Sequence, residues 1–289
     1  MGGNAQNAKL SVKTEIATFN KNISQRLTAK KHKDMKKTTF LLLLWSVAWL
    51  HGCSDGESAI SPDLGGGNNS GTGGSLARFT IADDKLYIVD QTNLRTYDIR
   101  QADNPRATTT VPIGFGIETV FPYGDNLFVG AADAMYIFDI SNPSQPRQLS
   151  RYSHFVGCDP VVVQGNYAYV TLRTTGCRPN TNNNVLDVID ISDLRNPQLV
   201  QTYNMTSPYG LGIRGSGLFV CEGDAGLRVF DATDPVRLVQ KSFLTDIRTY
   251  DLIPLPQSLL VIGQDGFYQY DYSNLAQLRL LSKITVEQD

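Results

Sequence analysis

Five short apolar segments recur along the chain at a nearly constant spacing. They begin at Leu86, Leu127, Ala168, Leu218 and Leu259, at intervals of 41, 41, 50 and 41 residues. Each is followed by a second segment that ends in aspartate, as in LRTYD and MYIFD. Segments rich in β-branched and aromatic residues and bounded by Gly, Asn, Asp and Pro are typical of β-strands. The pattern therefore predicts five related β-hairpins.

Each repeat holds four such stretches; in the second they are IETVFPYG, NLFVGAA, AMYIFDIS and PRQLSRYS. Four strands in a unit of about 40 residues are typical of a propeller blade, and blades bury their faces by packing around an axis. We therefore expect an all-β fold, a five-bladed β-propeller of four-stranded antiparallel blades. An insertion at residues 173–184 explains the one long interval. The predicted blades are residues 76–115, 116–156, 157–206, 207–247 and 248–289.

Five aspartates close the second segment of each hairpin, and they are Asp98, Asp139, Asp190, Asp231 and Asp271. A ring of carboxylates is one interpretation. The other is structural, because each aspartate precedes a turn containing Ser or Thr and Asn or Asp, where its side chain accepts backbone N–H groups. We favour the structural interpretation and place these residues at the blade corners.

Two phrases carry a resemblance to a known family. YIFDISNPSQPRQL at 136–149 and VIDISDLRNPQLV at 188–200 resemble the repeat of the LVIVD family of bacterial β-propeller lipoproteins. VFDATDPVRLV at 229–239 is similar, whereas YDIRQADNPRA gains residues and YDYSNLAQLRLL lacks the proline. The resemblance covers residues 76–289 and implies a propeller with an extracytoplasmic location. It implies no activity and no cofactor.

Residues 35–53 have the layout of a lipoprotein signal peptide. The apolar run at 40–50 is eleven residues long, shorter than the roughly 20 of a spanning helix, and Lys36 and Lys37 precede it. Leu50-His51-Gly52-Cys53 resembles a bacterial lipobox, in which the cysteine is diacylated and becomes the N-terminus, although His51 departs from the usual residue type. A plain signal peptide with an incidental cysteine is the alternative.

The segments on either side of this signal are polar. Residues 1–34 are interpreted as a disordered extension or as an over-extended gene start before Met35. Residues 54–75 contain seven glycines in 22 residues and predict a flexible tether with a reach of about 25 Å. We expect an exported protein anchored in the outer membrane of a bacterium, on its periplasmic face or at the cell surface.

The charge is divided along the chain. Residues up to Cys53 have nine Lys or Arg and two Asp or Glu, whereas the remainder has 17 and 26. An acidic body repels phosphate backbones, so nucleic acid is not an expected partner. The expected partners are the membrane, through the lipid, and an envelope protein or glycan. A monomer is expected.

The three cysteines of the predicted propeller differ in their positions. Cys158 lies in the link entering blade three and Cys177 in the inserted turn of that blade, so both fall at one end of the propeller. In an oxidising compartment this placement predicts a Cys158–Cys177 disulfide. Cys221 ends a strand and is expected to be a buried or unpaired thiol.

The apparatus of most enzymes is missing from the sequence. The predicted propeller has one histidine, His154, which argues against histidine-rich metal sites and a Ser-His-Asp triad. The G-x-G-x-x-G pattern at Gly210–Gly215 lies between two predicted strands, whereas a dinucleotide site needs a strand followed by a helix. No metal site and no cofactor are predicted.

The start of each innermost strand defines a candidate ligand site at one mouth of the axis. The polar and aromatic residues there are Arg78, Glu118, Asp159, Tyr209, Tyr250 and Asp251. Aromatic rings and carboxylates suit the binding of a polar ligand, and we favour a binding or scaffolding module. The alternatives are a glycosidase that uses axial carboxylates and a solvated rim without a ligand.

Overall fold

The computed structural model describes residues 74–154, 157, 160–174 and 183–286, and all regular elements in these ranges are β-strands. The first blade contains β1 (Phe79–Ala82), β2 (Lys85–Val89), β3 (Asn93–Asp98) and β4 (Arg106–Pro112). The second contains β5 (Ile117–Tyr123), β6 (Asn126–Ala131), β7 (Ala134–Asp139) and β8 (Arg147–Ser153). The third contains β9 (Val161–Gln164), β10 (Tyr167–Leu172), β11 (Val185–Asp190) and β12 (Gln198–Asn204). The fourth contains β13 (Leu211–Arg214), β14 (Gly217–Cys221), β15 (Leu227–Asp231) and β16 (Val239–Leu244). The fifth contains β17 (Thr249–Pro254), β18 (Leu259–Gly263), β19 (Gly266–Asp271) and β20 (Arg279–Thr285).

Each blade is an antiparallel meander in which consecutive strands pair. In every blade the register between the third and fourth strands shifts between the third-last and second-last residues of the third strand, as between Ile137 and Phe138. A bulge of this kind bends the sheet and increases its twist. The predicted five-bladed propeller of four-stranded antiparallel blades is therefore confirmed.

The core lies between neighbouring blades. The described residues form four apolar clusters, which join the first blade to the second, the second to the third, the third to the fourth and the fourth to the fifth. Tyr87, Phe128, Tyr169 and Phe219 occupy one repeat position in the first four blades and are fully buried there. The recurring apolar segments of the sequence therefore serve blade-on-blade packing.

The repeated aspartates form the blade corners, as the sequence predicted. Each accepts a hydrogen bond of 2.8–3.1 Å from the backbone N–H two residues later. Hydrogen bonds from Ser141 and Ser273 lower the pKa of Asp139 and Asp271 to about 2, with help from Arg147 and Arg279. These carboxylates are therefore used locally and form no axial ring.

The innermost strands contact one another in the order β1, β5, β9, β13, β17. The turn at residues 74–77 adds to this inner layer: the Ser75 hydroxyl accepts a hydrogen bond of 2.7 Å from the Leu211 N–H and lies 3.3 Å from Asp251. Ser75 is buried. The sequence assigned Ser75 to the tether, but the structure places it inside the propeller, because the Leu211 amide and the Asp251 carboxyl bind it.

Candidate functional site at the axial mouth

In an antiparallel blade the start of the first strand and the turn between the second and third strands lie at the same end. This end carries five of the predicted site residues, and we call it the axial mouth: Arg78, Glu118, Tyr209, Tyr250 and Asp251. Arg78 is exposed and the other four are half-buried. Asp159, the sixth predicted residue, lies outside the described residues.

Tyr209 and Tyr250 form an aromatic pair at the mouth. Their ring centroids are 5.4 Å apart and their planes meet at 77°, an edge-to-face arrangement. The Arg173 guanidinium lies 3.9 Å from the centre of the Tyr209 ring, close enough for a cation–π contact. Three long side chains from three blades therefore meet at one point of the mouth.

The backbone of Tyr209 is held from both sides. Its N–H donates to the Cys221 carbonyl at 2.7 Å, and its carbonyl accepts from the Thr171 hydroxyl at 2.8 Å. The Gly210 N–H donates to the Tyr250 carbonyl at 2.9 Å. The aromatic pair is thus attached to the rigid inner strands of the third, fourth and fifth blades.

Asp251 serves the protein itself. Its carboxylate accepts hydrogen bonds from the Leu252 N–H at 2.9 Å and from the Ser75 hydroxyl at 3.3 Å. Burial raises the pKa of Asp251, and hydrogen bonds from Leu252, Leu76 and Ser75 oppose that rise. The carboxylate therefore fixes the turn at 74–77 against the inner strands.

Two glycines permit this close packing. A Cβ at Gly210 would collide with the Asp251 carboxylate, and a Cβ at Gly223 would lie 2.6 Å from the Tyr209 ring. Gly223 also has a φ of +57°, which side-chain-bearing residues rarely adopt. The sequence predicted that the G-x-G-x-x-G pattern at Gly210–Gly215 is not a dinucleotide-binding motif, because no helix follows it. The structure agrees, since Leu211–Arg214 is a strand and Gly215 is in a turn.

Glu222 stabilises the segment that precedes Tyr209 at the axial mouth, and the sequence did not predict this role. The side chain is fully buried, and its Oε2 accepts hydrogen bonds of 2.8 Å from the N–H groups of Thr206 and Ser207. Its Oε1 forms an ion pair of 2.7 Å with Arg228 Nε. Glu222 therefore holds the segment that leads into Tyr209.

The Glu222–Arg228 ion pair could have been predicted by comparing the repeats. Asp90 in the first blade occupies the position of Glu222, four residues after the second strand's first leucine, and Arg95 occupies the position of Arg228. Asp90 also accepts two backbone N–H groups and pairs with Arg95 at 2.9 Å. The acid and the arginine occur together in these two blades.

The remaining sequence predictions concern thiols and the leader. Cys221 is a buried free cysteine, as expected, and burial raises the pKa of its thiol. Cys53, Cys158 and Cys177 lie outside the described residues. Within the ranges that the structure describes, no helix is long and apolar enough to cross a membrane.

Comparison with solved structures defines the class of protein as a β-propeller. A protein from Lactobacillus plantarum matches with a TM-score of 0.57 and 17% identity, over 72% of this chain and 74% of that chain. The periplasmic gluconolactonase of Pseudomonas aeruginosa matches with a TM-score of 0.56 and 15% identity, over 70% and 68%. A computationally designed protein, Ika8, matches with a TM-score of 0.53 and 12% identity over 71% of this chain, which spans only 60% of the designed chain. At such identities the likeness shows the fold alone.

Two of the five blades match a known family of sequence repeats. The family model of the LVIVD repeat matches residues 119–154 and 158–205, in the second and third blades. The second and third blades therefore match the LVIVD repeat, and the resemblance seen in YIFDISNPSQPRQL and VIDISDLRNPQLV is confirmed there. No curated protein sequence matches the chain.

Proposed function

We propose that this protein is a lipid-anchored, extracytoplasmic binding module whose axial mouth takes a polar ligand, an envelope protein or a glycan. The observation that carries the proposal is the Tyr209–Tyr250 pair, held edge to face beside Arg173. Tyrosine offers a flat apolar ring and a hydroxyl, so it suits the faces of sugars and of protein side chains. Lipid attachment at Cys53 and the outer-membrane location belong to this proposal.

The hydrogen bonds that hold the Tyr209–Tyr250 pair in place favour a preformed binding site. The Tyr209 backbone is hydrogen-bonded on both sides, and Glu222 holds the segment before it. A ligand that meets an already ordered site loses less free energy to the ordering of side chains. The half-buried rings therefore present a fixed surface.

The role of Asp251 makes a glycosidase the weaker interpretation. Glycoside hydrolysis needs two carboxyl groups free to act as acid and as base or nucleophile. Asp251 is bound to Leu252 and Ser75 within the propeller. We therefore assign Asp251 to support of the mouth and leave ligand contact to the tyrosines, with Arg78, Glu118 and Asp159 as further candidates.

The point at which the tether joins the propeller determines which ligands can reach the axial mouth. Gly74 packs against the Asp251 carboxylate, so the tether joins the propeller at the axial mouth. The tether before Gly74, with a reach of about 25 Å, would keep this mouth close to the membrane that holds Cys53. Components of the envelope surface are thus the proposed ligands.

The test uses the protein as bait on intact bacterial envelopes, with bound proteins and glycans identified after cross-linking. The double variant Tyr209→Ala/Tyr250→Ala should lose the partners that the wild type captures. Tyr123→Ala is the matched control, since Tyr123 ends β5 at the opposite end of the second blade and is 36% exposed. Equal capture by all three proteins would show that the mouth is a rim without a ligand.

A further inference from the structure

Blades one and five each present a face built like the blade interfaces but left uncovered. In the first blade this face contains Phe79, which pairs with Ile88. The residues at the same step of the other blades are buried, with at most 3% exposure, whereas Phe79 is 61% exposed. These equivalents are Val120, Val161, Leu211 and Leu252.

The fifth blade shows the same anomaly on its opposite face. Phe267 lies four residues before the corner aspartate, and its equivalents in the first four blades are fully buried, whereas Phe267 is 50% exposed. Those equivalents are Leu94, Met135, Leu186 and Leu227. Ile262 and Ile284 flank Phe267 as cross-strand neighbours and are 38% and 68% exposed. The three side chains form an apolar row across blade five.

The two faces do not cover one another. Ser75 joins the inner end of the first blade to the fourth and fifth blades. Farther from the axis, the apolar clusters of the described residues join each blade to the next only from the first to the fifth. Phe79 and Phe267 therefore remain exposed on either side of a seam.

We propose that a second copy of this chain covers these faces, with the blade-five face of one copy against the blade-one face of the other. The argument is continuity with an interface that the chain already makes four times. At each internal interface the positions of Leu94 and Tyr87 meet the positions of Leu127 and Val129 on the following blade. Blade five offers the first kind of surface and blade one offers the second, so two copies are complementary.

Such a contact is heterologous, because it joins different surfaces of the two copies. The side chains exposed on these two faces are of the types found in protein cores. A contact that removes a large apolar side chain from water favours association. Phe79 and Phe267 belong to none of the four apolar clusters. They can therefore be substituted without removing a member of these clusters.

The decisive experiment mixes two variants of the full chain, each with one added cysteine. Phe79→Cys and Phe267→Cys, carrying different affinity tags, are combined and oxidised, and disulfide-linked heterodimers are counted on non-reducing gels. Phe115→Cys mixed with Phe267→Cys is the matched control, since Phe115 is 71% exposed but lies in the link between the first and second blades. The wild-type chain reports the background from its own cysteines.

The proposal expects at least ten times more heterodimer from the Phe79 mixture than from the control mixture. Equal yields would overturn it. An intrachain disulfide without dimers in the double variant Phe79→Cys/Phe267→Cys would also overturn it, because the seam would then close within one chain. That result would restore the monomer expected from the sequence.

A substitution that needs no cross-link provides the second measurement. Phe267→Glu should weaken self-association in sedimentation velocity at least tenfold, with an unchanged circular dichroism spectrum, whereas Phe115→Glu should not. A wild type that sediments as a monomer at every accessible concentration would refute the second-copy contact. The binding of envelope ligands by Tyr209 and Tyr250 is a separate property and would survive that failure.

Discussion

Removal of the Glu222 carboxylate should destabilise the propeller far more than removal of its repeat equivalent. Glu222→Ala deletes two charge-assisted hydrogen bonds, to the N–H groups of Thr206 and Ser207, and leaves Arg228 without its acidic partner. The Glu222 side chain is fully buried and that of Arg228 is only 17% exposed. Breaking a buried pair by removing one partner costs about 3–5 kcal/mol.

Asp90→Ala is the matched control. Asp90 has the same repeat position and the same kind of partners, but its side chain is 37% exposed and that of Arg95 is 44% exposed. Exposed ion pairs contribute about 0–1 kcal/mol, because water and salt screen them. The two variants should therefore differ by about 2–5 kcal/mol in the free energy of unfolding.

Urea denaturation followed by far-ultraviolet circular dichroism measures both costs. Glu222→Gln should lose less than Glu222→Ala, because an amide oxygen still accepts a backbone hydrogen bond. If Glu222→Ala lowers the free energy of unfolding no more than Asp90→Ala does, burial does not strengthen the Glu222–Arg228 ion pair. The conclusion that Glu222 stabilises the axial mouth would then be wrong.

Three further predictions concern anchoring, oxidation and pH. Cys53→Ala should move the protein from the membrane to the soluble fraction on fractionation; unchanged membrane association would refute the lipobox interpretation. Mass spectrometry of non-reduced peptides should find Cys158 linked to Cys177, and two alkylatable thiols there would contradict the pairing. Because burial raises the pKa of Asp251 above 3.8, its favourable contribution is present at low pH and is lost as pH rises through the folded pKa. Relative to wild type, Asp251→Asn should therefore gain stability as the pH rises above about 4 in parallel urea titrations, and a difference that stays constant or moves the other way would refute the assignment.

The sequence was informative about the repeat because the relevant interactions are local or periodic. Recurring segments of β-branched and aromatic residues, bounded by turn residues, marked the strands, and the aspartate corners bind the backbone two residues later. The paired occurrence of Asp90 with Arg95 and of Glu222 with Arg228 was also available in the sequence. Only the knowledge that these positions contact one another was missing.

The candidate site was predicted only as a set of positions. Repeat register correctly brought Tyr209, Tyr250 and Asp251 to one end of the propeller. It could not show that Arg173 stacks on Tyr209, since the inserted segment breaks the register after that residue. Nor could it distinguish the half-buried rings of Tyr209 and Tyr250 from the Asp251 carboxylate, which binds groups of the protein itself.

The sequence by itself determined the number of blades, the strands and the corners, because backbone pairing and turn chemistry depend on residues close together in the chain. The tertiary structure decided the role of Asp251, whose partner Ser75 lies 176 residues away in sequence. It also decided the exposure of Phe79 and Phe267, which carry the same apolar character as their buried equivalents. Residue type at a repeat position shows that a side chain is suited to a blade interface. Whether another blade covers that side chain depends on how the two ends of the array meet in space.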